Sequence, residues 1–176
     1  MLTANHIPPN PQALTSDPDQ HYNLHVEDRE AILHCIEHYE DARAASIDAL
    51  KIVQKRHGWV PDEAIPIIAE VLGIASADVE GVATFYNMIF RKPVGRHVIK
   101  VCDSVSCFLT GYENLITVIK QQLNIEYGHT TSDGRFTLLP ISCLGNCDKG
   151  PSVMIDNDTY GPVTPQDVST ILERYV

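Results

Sequence analysis

The hydrophobic positions change period once along the chain, at Lys92-Pro93-Val94-Gly95. Before that break they recur every three to four residues, the spacing of one face of an α-helix. From Glu27 onward Ile32, Cys35, Ile36 and Tyr39 share a face, and Ile47, Leu50 and Val53 share a second one that Gly58 is placed to cap. A third helix is expected over Asp62 to Leu72, with Gly73 as its stop. Pro66 fits there only near the first turn, where amide donors have no helical partner. Ser76 is expected as the N-cap of a fourth helix, with Asp78 and Glu80 in its first turn, running through Phe85 and Tyr86. Trp59, Phe85 and Tyr86 are expected in the core, since large aromatic side chains bury the most area.

After the break the period shortens. His97 to Val101 is a β-branched run and reads as a strand, Tyr112 to Leu123 has helical spacing through Leu115, Val118 and Ile119, and Phe136 to Ile141 follows the Asp133-Gly134 turn as a second strand. Val153 to Asp156 and Tyr160 to Val163 flank Asn157-Asp158 as a hairpin. A last helix opens with Thr164 as N-cap, Pro165 at the first helical position and Asp167 at the third. The order β-α-β-β-α predicts a small α/β sandwich, thioredoxin-like in outline. Residues 1–24, rich in Pro, Asn, Asp and Thr, are expected to be a flexible tail. The domain reading is therefore a tail over 1–24, a helical bundle over 25–92 and an α/β domain over 93–176.

Composition narrows the partners. The 176 residues are 44% hydrophobic, enough for a real core, and carry a formal charge of −10. That charge opposes binding to nucleic acid or adhesion to an anionic membrane, while leaving a basic protein partner open. The first 23 residues have no basic-then-apolar signal pattern, and nowhere is there a run of about 18 uncharged apolar residues for a membrane span. A cytoplasmic chain with no direct membrane insertion is the expectation, and in that compartment thiols stay reduced.

The compartment gives the cysteines their meaning. Four of the five form two pairs, Cys102-x4-Cys107 and Cys143-x3-Cys147, each expected in a loop just after a strand. If the two strands are neighbours, both loops leave the sheet at the same end and four sulfurs can converge. Thiolates are soft, anionic ligands suited to iron–sulfur clusters, and backbone amides aimed at the sulfurs spread the added charge. Gly145 and Gly150 are expected to supply positive φ angles near Cys147, and Ser104 and Ser106 to offer hydroxyl donors. Spacing favours an iron–sulfur cluster and leaves three alternatives standing. They are structural zinc, which prefers two-residue gaps, two disulfides, which the compartment opposes, and a thiol-exchange site, which lacks its C-x-x-C.

The segment Val101-Cys-Asp-Ser-Val-Ser-Cys107, the segment Thr130 to Leu139 and the segment Cys143-Leu-Gly-Asn-Cys-Asp-Lys-Gly-Pro151 closely resemble the NuoE-type subunits of bacterial NADH:quinone oxidoreductase, respiratory complex I. Gln54-Lys-Arg-His-Gly-Trp-Val-Pro61 and Val82-Ala-Thr-Phe-Tyr86 resemble the helical half of the same family. The resemblance implies an N-terminal helical bundle followed by a thioredoxin-like [2Fe–2S] ferredoxin domain, a mixed α+β and α/β architecture. It implies one [2Fe–2S] cluster with Cys102, Cys107, Cys143 and Cys147 as iron ligands, and no catalytic residue on this chain. It further implies that NADH and flavin mononucleotide (FMN) sit on a large partner subunit, that another iron–sulfur subunit completes the dehydrogenase module, and that the chain lies peripheral to the inner membrane through the complex. Similar subunits occur in NAD-linked hydrogenases and formate dehydrogenases. The residues agree on one point: no G-x-G-x-x-G follows a strand and no Walker-type loop is present, so hydride chemistry is expected on another polypeptide. An acidic chain makes adding an electron harder, which predicts a low potential.

Other residues invite simpler readings. His34 and His38, one turn apart, are expected on a polar helix face, and Cys35 as a buried core thiol. Lys149 beside Cys147 is as well explained by solvent as by the charge of a cluster.

Overall fold

A computed structural model describes residues 22–176. Its backbone forms two compact units, divided between Pro93 and Val94. The tail expected over 1–24 lies outside the described residues up to position 21; Tyr22 and Leu24 pack against the helical core.

The first unit contains α1 (Val26–Ile36), α2 (Ser46–His57), α3 (Ala64–Leu72) and α4 (Ser76–Phe85). Ile32, Leu50, Val53, Ile68 and Val79 meet in its centre, fully enclosed. Gly58 and Gly73 both take the left-handed conformation that ends a helix, with φ of +81° and +67°. Asp28 is only 6% exposed, and Arg56 covers it with Nε at 2.5 Å and Nη2 at 2.8 Å, a two-pronged ion pair tying α1 to α2.

Several expectations fail in this unit. α1 ends at Ile36, so Tyr39 leaves the apolar face and its hydroxyl donates to Asp48 at 2.7 Å; Cys35 is half-buried rather than buried. Ser76 is the first helical residue and not the cap; Ala75 precedes it in extended conformation. That end is held instead from outside the helix, by Arg43 on Asp78 at 2.9 Å. Phe85 and Tyr86 are not core. α4 buries Val79 and Ala83, four residues apart on one face, and this turns Phe85 outward to 76% exposure. Trp59 is half-buried.

At the C-terminal end of α2 the Tyr22 hydroxyl and His57 Nε2 lie 3.1 Å apart, with their rings 5.4 Å apart. Burial lowers the His57 pKa, Asp28 opposes this, and Arg56 and His25 add to it. Burial and then Asp28 push the Tyr22 phenol up to about 12, against Arg56. A histidine whose folded pKa lies below its unfolded value of about 6.5 resists protonation only when folded, so the folded state binds fewer protons. Its contribution is fully present above about pH 6.5 and is lost as pH falls from there through the lower folded pKa. The urea midpoint of the wild type should therefore drop between pH 7.5 and 5, and His57→Gln should flatten that limb. An equal slope in both proteins would disprove the assignment.

The second unit has a four-stranded sheet of order β2-β1-β3-β4, with β1 (His97–Cys102), β2 (Phe136–Ile141), β3 (Val153–Ile155) and β4 (Asp158–Tyr160). β1 and β2 run parallel through the crossover helix α6 (Tyr112–Leu123), whose bounds match the sequence expectation, as do those of β2. β3 is antiparallel to both β1 and β4. Ile99, Val101, Leu138 and Ile155 form the face covered by Leu115 and Ile119 of α6 and by Val168 and Leu172 of α7 (Val168–Leu172). The expected capping box is present: Thr164 and Asp167 exchange side-chain and backbone hydrogen bonds around a 3-10 turn that leads into α7. The hairpin turns one residue earlier than expected, at Asp156-Asn157. The Asp156 carboxylate accepts Val98 N–H at 2.9 Å and faces His97 Nδ1 at 2.7 Å, pinning the turn to β1 with φ of +53°.

Candidate metal centre

The cysteines sit at one end of this sheet. In the parallel register Cys102 stands opposite Ile141, so β1 and β2 finish level and both connections leave at the same edge, as the spacing required. Cys102 is the last residue of β1 itself, not of a loop. Cys107 lies inside a short helix that the sequence reading missed, α5 (Val105–Leu109). Alternation along β1 explains the first placement. Cys102 points to the face opposite Ile99 and Val101, where it forms a small apolar cluster with Cys107, Ile141 and Leu144, separate from the main core. The second pair follows β2 in an irregular turn, with Cys147 opening a 3-10 turn that ends at Lys149.

All five cysteines are free thiols. Cys102 and Cys107 are buried, at 2% and 1% exposure, while Cys143 and Cys147 are exposed. The sulfurs of Cys143 and Cys147 lie 3.8 Å apart. Two thiolates bound to one tetrahedral ion through bonds of about 2.3 Å would have sulfurs roughly 3.8 Å apart, so this pair already has the spacing of two ligands on one metal. Among the described residues, no three Cys, His, Asp or Glu side chains gather into a site for a single ion.

The surrounding polar groups suit anionic sulfur. Gly145 N–H donates to Cys143 Sγ at 3.3 Å from a residue with φ of +74°, the positive value expected there. The Ser152 backbone favours the thiolate of Cys107, and the Ser106 side chain, from α5, favours that of Cys147. Burial and then Cys102 push the Cys107 thiol up, with the Ser152 backbone opposing and the charges of Cys102 and Cys147 adding to the rise. Cys147 is pushed up chiefly by Cys143, with Ser106 opposing. Charge on a sulfur of one pair thus acts on a thiol of the other, Cys147 on Cys107 and Cys102 on Cys147. A multinuclear thiolate-held cluster fits this donor set: sulfur ligands from two directions, amide and hydroxyl donors aimed at them, and apolar cover from Ile141 and Leu144.

Two expectations change here. Gly150 has φ of −73°, not a positive value. Its need is space, because a Cβ there would stand 2.8 Å from Thr110 Oγ1 and 3.5 Å from Cys107 Sγ. Ser104 precedes α5 and makes no side-chain capping bond, while the Ser106 side chain acts on Cys147. Ser152 went unnoticed in the sequence, yet it is buried and central. Its hydroxyl donates toward the Asn146 and Lys149 carbonyls at 3.2 and 3.0 Å and accepts from Asn146 Nδ2, and its carbonyl accepts Cys102 N–H at 3.1 Å. Its position directly after Gly150-Pro151, in the ligand turn, was the available signal. His34 and His38 stack edge-on, 4.8 Å between centroids, on the exposed surface of the first unit, and Lys149 is exposed.

The chain belongs to the thioredoxin-like [2Fe–2S] ferredoxin family, whose profile matches residues 32–176. Its relatives include E subunits of NADH-quinone oxidoreductases. The chain is 63% identical over 153 residues to the E subunit of NADH-quinone oxidoreductase from Pseudomonas aeruginosa, covering 87% of this chain and 92% of that one. To the E subunit of the Escherichia coli (strain K12) oxidoreductase it is 62% identical over 154 residues, 88% of this chain and 93% of that one. These identities place it among the NuoE-type chains, with the general role of an electron carrier. Among solved structures, a chain of an NAD+-reducing [NiFe]-hydrogenase shares the fold with a TM-score of 0.59 at 19% identity, over 76% of this chain and 22% of that one. Among the described residues no helix is long and apolar enough to cross a membrane.

Proposed function

We infer that Cys102, Cys107, Cys143 and Cys147 together hold one [2Fe–2S] cluster. On this reading the chain is the electron-transfer subunit of the NADH dehydrogenase module of NADH:quinone oxidoreductase, exchanging single electrons with the flavin of an NADH-binding partner. The observation that supports the reading is the placement of both cysteine pairs at the level ends of β1 and β2, with the Cys143 and Cys147 sulfurs 3.8 Å apart. The resident cluster supplies a one-electron couple. The chain's own part is to bind it and set its surroundings. The amides of Gly145 and Ser152 and the hydroxyl of Ser106 stabilise negative charge on three of the four sulfurs. Ile141 and Leu144 limit water at the buried side.

NADH and FMN belong to the large partner subunit, and a further iron–sulfur subunit completes the module, which is peripheral to the cytoplasmic face of the membrane. Docking is supported by three exposed apolar side chains of α5, Val105, Phe108 and Leu109, which flank Cys107 in the chain. The test is iron and acid-labile sulfide analysis of the purified complex, with EPR after reduction. About two iron and two sulfide per chain are expected, together with co-purification of a flavin-bearing subunit. Zinc without sulfide would sink the reading. Hydrogenase or formate dehydrogenase subunits in the preparation would reassign the assembly while leaving the cluster intact.

A further inference from the structure

The two cysteine pairs differ in access, and this has a chemical consequence before the cluster is in place. Cys102 and Cys107 are enclosed, whereas Cys143 and Cys147 face solvent with sulfurs 3.8 Å apart. That separation is non-bonded contact. A disulfide needs about 2.0 Å, so the sulfurs must approach by about 1.8 Å. The Cys147 side is held, because Ser152 bonds Asn146 and the Lys149 carbonyl, so the approach falls to Cys143, which lies in irregular backbone beside Gly145, where an added Cβ would meet nothing within 4 Å. Cys143, exposed and ahead of the 3-10 turn that begins at Cys147, is the sulfur assigned as the nucleophile of the pair.

We propose that, in the cluster-free chain, Cys143 and Cys147 are a peroxide-sensitive pair that closes to a reversible disulfide and locks the chain against cluster loading. The inference rests on these two thiols being cluster ligands. The Cys143 sulfur attacks one oxygen of hydrogen peroxide and the O–O bond breaks, giving a sulfenic acid and water. The Cys147 sulfur then attacks the sulfenic sulfur, the S–O bond breaks, and a second water leaves with the thiol proton. Two thiols and one peroxide become one disulfide and two waters, the thiols being oxidised and the peroxide reduced. A dithiol such as dithiothreitol reverses the change by exchange. Because metal-binding sulfur must be present as thiolate, the oxidised chain has lost two of four ligands. The buried pair is spared for want of access.

The experiment uses the full chain, stripped of metal and reduced, and exposed to one equivalent of hydrogen peroxide per chain. Alkylation under denaturing conditions and peptide mass analysis should find the peptide containing Cys143 and Cys147 two hydrogens lighter, with Cys102 and Cys107 alkylated. Iron uptake on reconstitution should fall to less than about a tenth and return after dithiothreitol. In Cys147→Ser, oxidation should stop at a Cys143 sulfenic acid that dimedone traps. A Cys102–Cys107 disulfide, or sulfinic acid at Cys143 in the wild type, would overturn the proposal. A Cys143–Cys147 disulfide with unimpaired iron uptake would overturn the lock and remove both residues from the ligand set. No disulfide, with normal iron uptake, would overturn the lock and leave the ligand set standing.

Discussion

Cys107→Ser and Cys143→Ser should each abolish the reduced EPR signal and most of the bound iron, yet only the first should weaken the metal-free fold. Both changes replace a soft sulfur with a harder, poorly ionised oxygen, a weak ligand for an iron–sulfur cluster. The difference lies in surroundings. Cys107 is 1% exposed among Cys102, Ile141 and Leu144, so a hydroxyl there is buried in an apolar cluster. The Ser152 amide is already aimed at that position, which keeps the cost to about 1 kcal/mol, the low end for a buried polar group. Cys143 is exposed, and a serine there stays in water at no such cost. Cys35→Ser is the control: it lies on α1, in the other unit, and should keep full iron and an unchanged spectrum. Iron content, EPR and urea midpoints of the three variants decide the matter. Retained signal in Cys107→Ser or Cys143→Ser would remove that residue from the ligand set.

The sequence was most legible where local chemistry and tertiary packing agree. α6 and β2 have the bounds their periodicity predicts, and Thr164-Pro165-Gln166-Asp167 makes the capping box its residues describe, because each of those signals acts within a few residues. The level ends of β1 and β2 were legible too, since a strand–helix–strand crossover makes neighbouring parallel strands. Long-range contacts overrode local signals elsewhere. Asp156 turns the hairpin early because its partners are His97 and Val98 on another strand. Phe85 looks like core by composition but faces out, because Val79 and Ala83 take the buried side of α4. At the candidate metal centre the two cysteine pairs were visible in the spacing, while the groups packed around them were not. Ser152, Gly150 and Gly161 act through backbone proximity between segments distant from the first cysteine pair or from the hairpin, and a single sequence carries no mark of such approaches.

Gly161 gives that proximity its largest testable effect. It follows β4, and a Cβ at this position would overlap the Lys149 carbonyl oxygen, lie 2.6 Å from Asn146 Nδ2 and 3.0 Å from Ser152 Oγ. The oxygen and the amide belong to the turn that carries Cys147. The hydroxyl is the one that donates to the Asn146 and Lys149 carbonyls. Backbone cannot rotate aside as a flexible side chain can, so Gly161→Ala must move the Cys147 turn, the Gly161 segment or both. Overpacking of this kind costs about 1–3 kcal/mol, and disturbing the Ser152 hydroxyl bonds adds about 1 kcal/mol. Gly161→Ala should therefore lose about 2–4 kcal/mol of stability and a large part of its iron, although the residue is no ligand. Gly81→Ala is the matched control. It lies in α4 with nothing within 4 Å of the added carbon, and should raise stability by about 0.5–1 kcal/mol through helix propensity alone, with iron unchanged. Urea midpoints and iron-to-protein ratios of both variants measure the difference. If Gly161→Ala keeps its iron and its midpoint, the Cys147 turn is not held by the close approach of the Gly161 backbone, and the position of the fourth sulfur must be set from its own loop.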